Sequence, residues 1–156
     1  MGKKSALSLI YNIGVCLAAG AIGSIFTTPN INSWYQFLNK PSWNPPSNWF
    51  GPVWTLLFIL MGVSVYYISQ SKSKLKKSAL WFFYVHLLAN ILWSVLFFGL
   101  KNPGLALAEI VFLWFFILII IVKFWPINNL AASLLIPYLL WVSFASYLNF
   151  TIWKLN

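Results

Sequence analysis

Acidic side chains are almost missing from this 156-residue chain. Glu109 is the only acidic residue, against ten basic residues that are all lysine, and the formal net charge is +9. One carboxyl cannot supply the paired acid and base of many hydrolases. Arginine is absent and the lysines flank apolar runs, so we predict no nucleic-acid partner.

Cysteine is equally scarce, since Cys16 is the only one. The chain therefore has no internal disulfide and no multi-cysteine metal site. It also contains no phosphate-binding loop and no nucleophile–base motif. We predict no metal site and no tightly bound cofactor.

Charge of either sign is rare, whereas apolar residues are abundant. Hydrophobic residues make up 61% of the chain and charged residues 7%, against roughly a quarter charged in ordinary globular proteins. A soluble fold cannot hide so much apolar surface. The composition predicts one membrane domain over residues 1–156.

The apolar residues form five long continuous runs. Each is about 19 to 23 residues long, enough for a helix to cross a hydrocarbon core of about 30 Å. Backbone groups in lipid must be satisfied within the segment, which favours helices. We predict an all-α membrane protein, a bundle of five transmembrane helices, at residues 5–26, 52–70, 78–99, 104–122 and 130–152.

Lysine placement predicts the orientation of the chain in the cell membrane. The side of the amino terminus carries seven lysines and the other side three, Lys40, Lys101 and Lys154. We therefore expect a cytoplasmic amino terminus, with the carboxyl terminus and loop 27–51 outside. The seven lysines are Lys3, Lys4, Lys72, Lys74, Lys76, Lys77 and Lys123.

Loop 27–51 is long and rich in aromatic residues and proline, including the stretch KPSWNPPSNWFGPVWT that runs into the second span. Such a composition does not suit a solvated coil. Two interpretations stay open. The tryptophans form a belt at the lipid headgroups, or the loop is a structured lid over a cavity for a flat apolar ligand.

Polar residues within the spans are few. Glu109 is expected to hydrogen-bond to a neighbouring helix. A lone His86 more often bonds between helices than ligates haem iron. Asn90 should face the interior because an unpartnered amide is costly in lipid, and Pro137 should kink the last helix.

Several motifs in the same order resemble the TspO family, also known as translocator proteins, tryptophan-rich sensory proteins or peripheral benzodiazepine receptors. The resemblance covers nearly the whole chain, and this chain looks like a bacterial-type member. The motifs are KPSWNPPSNWFGPVWT, FILMGVSVYYI, LANILWSVLFF and PYLLWVSFASYLNFTIWKLN.

The resemblance implies a five-helix bundle, usually a homodimer in membrane lipid, with the first loop capping a cavity. It also implies binding of protoporphyrin IX, haem and isoquinoline carboxamide or benzodiazepine drugs. Porphyrin would be a ligand, or the substrate of a light- and oxygen-dependent degradation. Transport of porphyrin or other small apolar ligands across the membrane is the alternative.

Site residues carry over by motif. Trp54 in GPVWT and Trp141 in PYLLW match the cavity tryptophans tied to porphyrin breakdown, and would be catalytic if the protein is an enzyme. The remaining ligand-binding candidates are Tyr35, Trp43, Pro45, Phe58, Asn90 and Ala145.

Two positions depart from the family pattern. His86 stands where glutamine is common, so any role it has is particular to this chain. Phe150 replaces the tyrosine of the animal sterol motif, and we predict no cholesterol binding.

Overall fold

The computed structural model describes residues 3–156, with no side-chain description for Lys3. All regular secondary structure in this part of the chain is helical. The all-α class is therefore confirmed. A 3₁₀ turn at Tyr35–Phe37 follows α1, and α3 continues into a π-helical turn at Val95–Gly99. The helices are α1 (Lys3–Ile31), α2 (Ser47–Gln70), α3 (Lys76–Ser94), α4 (Pro103–Phe124), α5 (Asn129–Ser133) and α6 (Ile136–Leu155).

Within residues 3–156, five helical stretches are long and apolar enough to cross a membrane. α5 and α6 together form the fifth, Asn129–Leu155. The five predicted crossings are thus present, and the chain has the architecture of a multi-pass membrane protein.

The connection between α1 and α2 is shorter than the predicted loop 27–51. α1 continues to Ile31 and α2 begins at Ser47, which leaves residues 32–46 as the connection. Two side chains donate hydrogen bonds to backbone carbonyls near the end of α1. Asn30 Nδ2 donates to Phe26 O, and Ser33 Oγ donates to Pro29 O. Carbonyls at a helix end need such partners, and this local pairing lengthens the helix.

The fifth crossing differs from the predicted single helix over 130–152. The Asn128 side chain accepts from Ala131 N and caps the short α5, which ends at Ser133. α6 then starts at Ile136 with Pro137 in its first turn. Proline is tolerated there because the backbone N–H groups of the first turn have no partner within the helix. A break before Pro137 therefore replaces the expected kink.

Helix packing sets the order of the elements around the bundle. α1 packs against α2 and α3, α4 packs against α3 and α6, and α5 bridges α2 and α4. The backbones of α1 and α2 come close together at Gly62, where an added Cβ would lie 2.5 Å from Ile13 Cα. Small residues permit such contact between helices in lipid.

Candidate functional site

A cavity of about 430 Å³ lies within the bundle. This volume falls in the range of small-molecule sites, about 300–1,000 Å³. Its wall comes from α1, α2, α3 with its π-helical turn, α4 and α6. Of the connection 32–46, all of which is described, Tyr35 alone lines it.

Six of the eight predicted ligand-binding residues line this cavity. They lie on four different elements and are far apart in the chain, so the fold is what brings them together. They are Tyr35, Trp54, Phe58, Asn90, Trp141 and Ala145.

Trp43 and Pro45 are absent from the wall of the cavity as described. The Trp43 ring stacks on Tyr147 of α6, with centroids 5.2 Å apart and planes 10° apart, and its edge meets Phe144 at 6.0 Å. These two residues therefore lie outside the described wall, and their contact with a ligand stays a prediction. The Trp43 side chain instead fastens the connection to α6.

The two tryptophans that match the cavity tryptophans of the family occupy different helices of the wall. Trp54 of α2 lies 5.8 Å from the Phe58 ring and 6.1 Å from the Tyr138 ring, centroid to centroid. Trp141 of α6 packs against Phe50 of α2 at 6.2 Å. The wall is thus an aromatic surface suited to a flat, apolar molecule.

The indole of Trp141 carries the least satisfied polar atom of the wall. Its Nε1 is buried and has no hydrogen-bond partner among the described residues. Trp93 Nε1, by contrast, donates to Asn149 Oδ1 at 3.0 Å. A buried donor without a partner costs about 1–3 kcal/mol, and an acceptor on a bound molecule would relieve that cost if the indole turns to bring Nε1 to the cavity.

Asn90 is held by the core beneath the cavity. Its Nδ2 donates to the hydroxyl of Tyr138, which is fully buried, at 2.9 Å. Its Oδ1 accepts no hydrogen bond from any described residue. The expectation that Asn90 faces the interior is met, and one amide oxygen is left for a ligand.

The hydroxyl groups of the wall are mostly used within the protein. Ser24, Thr27 and Thr55 donate to carbonyl oxygens of their own helices. The Tyr35 hydroxyl donates to Asn44 Oδ1 at 2.8 Å. Burial raises the pKa of the Tyr35 phenol to about 12, so it stays protonated at neutral pH.

No lysine lines the cavity in the part of the chain that the structure describes. Lys40 of the connection donates through Nζ to three carbonyl oxygens, those of Tyr35, Gln36 and Leu38, at 2.8–3.0 Å. Its ammonium therefore holds the connection together. Neither His86 nor Glu109 belongs to the wall.

His86 and Glu109 differ from expectation in their partners. The His86 ring is fixed by its own helix, because Nδ1 lies 2.7 Å from Phe83 O and a carbonyl can only accept. His86 Nε2 and Glu109 Oε2 are buried without a partner among the described residues. The expected helix–helix hydrogen bonds of these two side chains are therefore absent from the described part of the chain.

The connection 32–46 is tied to the carboxyl terminus. Asn39 N donates to Asn156 Oδ1 at 2.9 Å, and Asn156 Nδ2 donates to Asn39 O at 3.0 Å. Asn39 Nδ2 also donates to Leu155 O at 3.3 Å. Sequence inspection missed this reciprocal pair because the two residues lie 117 positions apart in the chain.

Sequence inspection also missed several residues of the wall. Trp93 and Phe97 lie in the LANILWSVLFF motif, and Phe50 lies in the tryptophan-rich stretch before Trp54. Helical spacing from Asn90 places Trp93 on the same face. That signal was available, whereas the contribution of Ile110 and Leu113 from α4 follows only from packing.

Comparison with known proteins agrees with this architecture. The sequence profile of the TspO/MBR family matches residues 12–154. Tryptophan-rich protein TspO of Chlorobaculum tepidum is 45% identical over 157 residues, covering 99% of this chain and 99% of that protein.

More distant relatives extend beyond one group of organisms. Tryptophan-rich sensory protein of Cereibacter sphaeroides is 34% identical over 156 residues, covering 100% of this chain and 95% of that protein. Translocator protein of Homo sapiens is 33% identical over 138 residues, covering 86% of this chain and 82% of that protein. With five apolar crossings and matches of this extent, the chain belongs to the TspO/MBR family.

Proposed function

We propose that the cavity binds a flat, apolar tetrapyrrole, with protoporphyrin IX as the reference ligand. The observation that carries the proposal is an aromatic cavity of about 430 Å³ lined by Trp54, Phe58 and Trp141. The buried indole N–H of Trp141 has no partner among the described residues. Trp54 and Phe58 on the α2 wall offer ring faces for stacking. A ligand of this shape would bury apolar area and supply an acceptor together.

The chemistry of the wall favours a metal-free porphyrin over haem. No histidine, cysteine or methionine occurs among its described residues, and these are common side-chain ligands of haem iron. The Tyr35 hydroxyl is engaged with Asn44. Haem would therefore bind through its ring, without a bond from the protein to iron.

Isoquinoline carboxamide and benzodiazepine drugs fit the same description. Each combines flat aromatic rings with an amide or lactam carbonyl, and such an oxygen can accept from Trp141 Nε1. The ring faces would use the aromatic wall and the carbonyl would use the unpaired donor.

A light- and oxygen-dependent degradation of the bound porphyrin is the reaction that this site would support. The porphyrin absorbs the light and carries the hard chemistry. Trp54 and Trp141 lie on the wall, where they would serve as electron donors or as traps for reactive oxygen species. No additional cofactor is required by this scheme.

The test is illumination of purified protein saturated with protoporphyrin IX, with binding measured first in the dark by quenching of tryptophan fluorescence. Trp54→Phe and Trp141→Phe should reduce product formation while the protein stays folded, because phenylalanine keeps much of the apolar volume. Trp81→Phe is the matched control, since Trp81 is 61% exposed and outside the wall.

The outcomes separate the parts of this proposal. Porphyrin that binds but survives illumination unchanged supports binding without degradation. Undiminished product formation in both cavity variants would contradict the roles of Trp54 and Trp141. Failure of porphyrin to bind the wild-type protein would overturn the proposal as a whole.

Transport of porphyrin or another small apolar ligand is the second candidate function. The name of the human relative, translocator protein, favours it. Uptake of protoporphyrin into sealed proteoliposomes in the dark would support transport. Dark uptake no faster than into protein-free liposomes would count against it.

Orientation and assembly complete the proposal. The lysine distribution supports a cytoplasmic amino terminus with the connection 32–46 outside, which labelling of single introduced cysteines in intact cells would test. Many exposed apolar side chains on the bundle are compatible with a homodimer in membrane lipid. Mass measurement of the protein in nanodiscs would determine the assembly state.

A further inference from the structure

We infer that one end of the bundle is a binding surface for anionic phospholipid headgroups. We call this surface the basic cluster. It combines lysines from the start of α1, from the turn between α2 and α3, from the start of α3 and from the end of α4. Its members are Lys4, Lys72, Lys74, Lys76, Lys77 and Lys123.

Side-chain contacts bring the parts of the basic cluster to the same end. Gln70 Nε2 donates to Ser8 Oγ at 2.9 Å, which joins the end of α2 to the first turns of α1. Ser5 Oγ and Tyr66 Oη also hydrogen-bond across these two helices. Lys4 therefore lies beside the turn that carries Lys72 and Lys74.

Lys123 joins the cluster from the end of α4. Its Nζ lies 3.4 Å from Ser78 Oγ and 4.4 Å from the centroid of the Phe82 ring, both on α3. Ser78 follows Lys77 directly in the chain. The contact thus places the α4 lysine next to the start of α3.

The basic cluster has no counter-charge within the protein. Glu109 is the only acidic side chain of the sequence, and it is buried within α4. Lys4, Lys72, Lys74 and Lys77 are exposed, and none of their ammonium groups has a hydrogen bond or ion pair with another described residue. A neutralising charge must come from outside the chain.

The lysines at the opposite end are fewer and partly occupied. Lys40 Nζ donates hydrogen bonds to three backbone carbonyls. Lys154 Nζ lies 5.3 Å from the centroid of the Trp153 ring. Free positive charge is therefore concentrated at one end, where several ammonium groups could contact one or two headgroups together.

Exposed aromatic residues place the basic cluster at headgroup depth. Trp81 follows Lys77 by one helical turn and is 61% exposed, and Trp125 follows Lys123 by two residues and is 48% exposed. Tryptophan rings prefer the interface between hydrocarbon and headgroups. Lys77, one turn further out than Trp81, would lie at the level of the phosphates, and Lys123 lies within one turn of Trp125 at the end of α4. This placement favours a lipid over a soluble acidic partner.

The experiment measures lipid preference where both ends of the protein are accessible. Purified protein in detergent micelles is mixed with equimolar phosphatidylglycerol and phosphatidylcholine of identical acyl chains, and bound lipids are counted by native mass spectrometry. Membrane orientation plays no part in this measurement. The test variant is Lys72→Gln/Lys74→Gln, and the matched control is Lys101→Gln/Lys154→Gln.

We expect the wild type to prefer phosphatidylglycerol, and the test variant to lose at least fivefold of that preference. Each lysine near an anionic surface contributes about fivefold in affinity. The control variant should keep the wild-type preference within twofold. Higher salt should weaken the preference, because the Debye length falls from about 30 Å at 0.01 M to about 8 Å at 0.15 M.

Three results would overturn the inference. The first is that the wild type binds both lipids equally. The second is that the control variant loses the preference for phosphatidylglycerol while the test variant keeps it. In the third, a poly-glutamate peptide displaces phosphatidylglycerol at equal charge concentration, which would indicate an acidic protein as the partner. Circular dichroism of both variants checks that the helices remain intact.

Discussion

The indole N–H groups of Trp93 and Trp141 differ in whether they have a hydrogen-bond acceptor. Trp93 donates to Asn149, whose own amide donates to Pro103 O at 2.8 Å. Trp141 has no such partner among the described residues. The Trp93 indole therefore supports the fold, whereas the Trp141 indole keeps an unused donor that a ligand would reach once the ring turns.

This contrast predicts opposite effects of the same substitution. Trp93→Phe should destabilise the free protein by about 1–3 kcal/mol, because Asn149 Oδ1 loses its buried donor. Trp141→Phe should cost less stability, since it removes an unsatisfied donor, and should weaken binding of a carbonyl-bearing drug by about 1 kcal/mol or more. Thermal unfolding and drug titration measure the two effects. A larger loss of stability in Trp141→Phe than in Trp93→Phe would contradict the assignment.

Tyr35 should give the connection 32–46 a dependence on alkaline pH. Its folded-state pKa, raised to about 12 by burial, exceeds the unfolded value of about 10. The stability contributed by the neutral phenol is therefore complete below about pH 10 and is lost as the pH rises towards 12.

The difference between wild type and Tyr35→Phe isolates this effect from lysine titration. Between pH 10 and 12 the wild type should lose stability more steeply than the variant, as measured by unfolding midpoints. Parallel pH profiles for the two proteins would show that the Tyr35 phenol is not protected in the folded state.

At the scale of the elements, helix pairing depends on where the backbones can approach. α1 contains Gly14, Gly20 and Gly23, and small residues of this kind permit close contact between helices in lipid. The structure assigns the closest backbone contact to Gly62 of α2 instead, while nothing lies within 4 Å of a Cβ built on Gly14. Which glycine matters depends on helix rotation, which a span with small residues on several faces does not define.

Gly62→Ala should separate α1 from α2 and destabilise the protein by about 1–3 kcal/mol, because the added methyl meets Ile13 backbone that cannot rotate away. Gly14→Ala is the matched control, and we expect it to be neutral or slightly stabilising, since alanine is the better helix former. Unfolding in detergent measures both. Equal effects of the two substitutions would disprove the packing described for this helix pair.

At the scale of the whole molecule, the cavity depends on contacts between distant parts of the chain. α2 meets the fifth crossing largely through the short α5, and further out the two sides are bridged by the Phe50–Trp141 ring contact. The connection 32–46 closes this end by stacking Trp43 on Tyr147 and by pairing Asn39 with Asn156.

Loss of the Asn39–Asn156 hydrogen bonds should make the connection 32–46 more mobile without unfolding the helix bundle. Asn156→Ala should raise amide hydrogen exchange of residues 35–40 by about fivefold, since a net hydrogen bond contributes about 1 kcal/mol. Ser42→Ala is the control, because Ser42 lies at an exposed position of the same connection and its side chain forms no hydrogen bond with a described residue. Unchanged exchange in Asn156→Ala would show that the carboxyl terminus does not hold the connection.

Much of the architecture could be read from the chain because the bilayer responds to local properties. Five apolar runs and their flanking lysines are visible directly in the residues, and the five crossings are present. The break before Pro137 was only partly foreseen, because proline marks the position but not whether the helix kinks or restarts.

The candidate site was predictable to the extent that motifs carry it. Trp54, Trp141, Asn90 and Ala145 came from resemblance to the family and all line the cavity. Trp43 came from the same aromatic stretch as Trp54, but it packs on α6. Residue type alone does not distinguish a ring that faces a cavity from one that fastens a loop.

The sequence by itself determined that this protein crosses a membrane five times and that its positive charge gathers at one end. Span length and charge act residue by residue against a hydrocarbon core of about 30 Å. Only the tertiary structure decided that Trp93 is paired and Trp141 is not, and that Asn39 meets Asn156. These outcomes depend on the rotation and register of helices far apart in the chain, which no local pattern specifies.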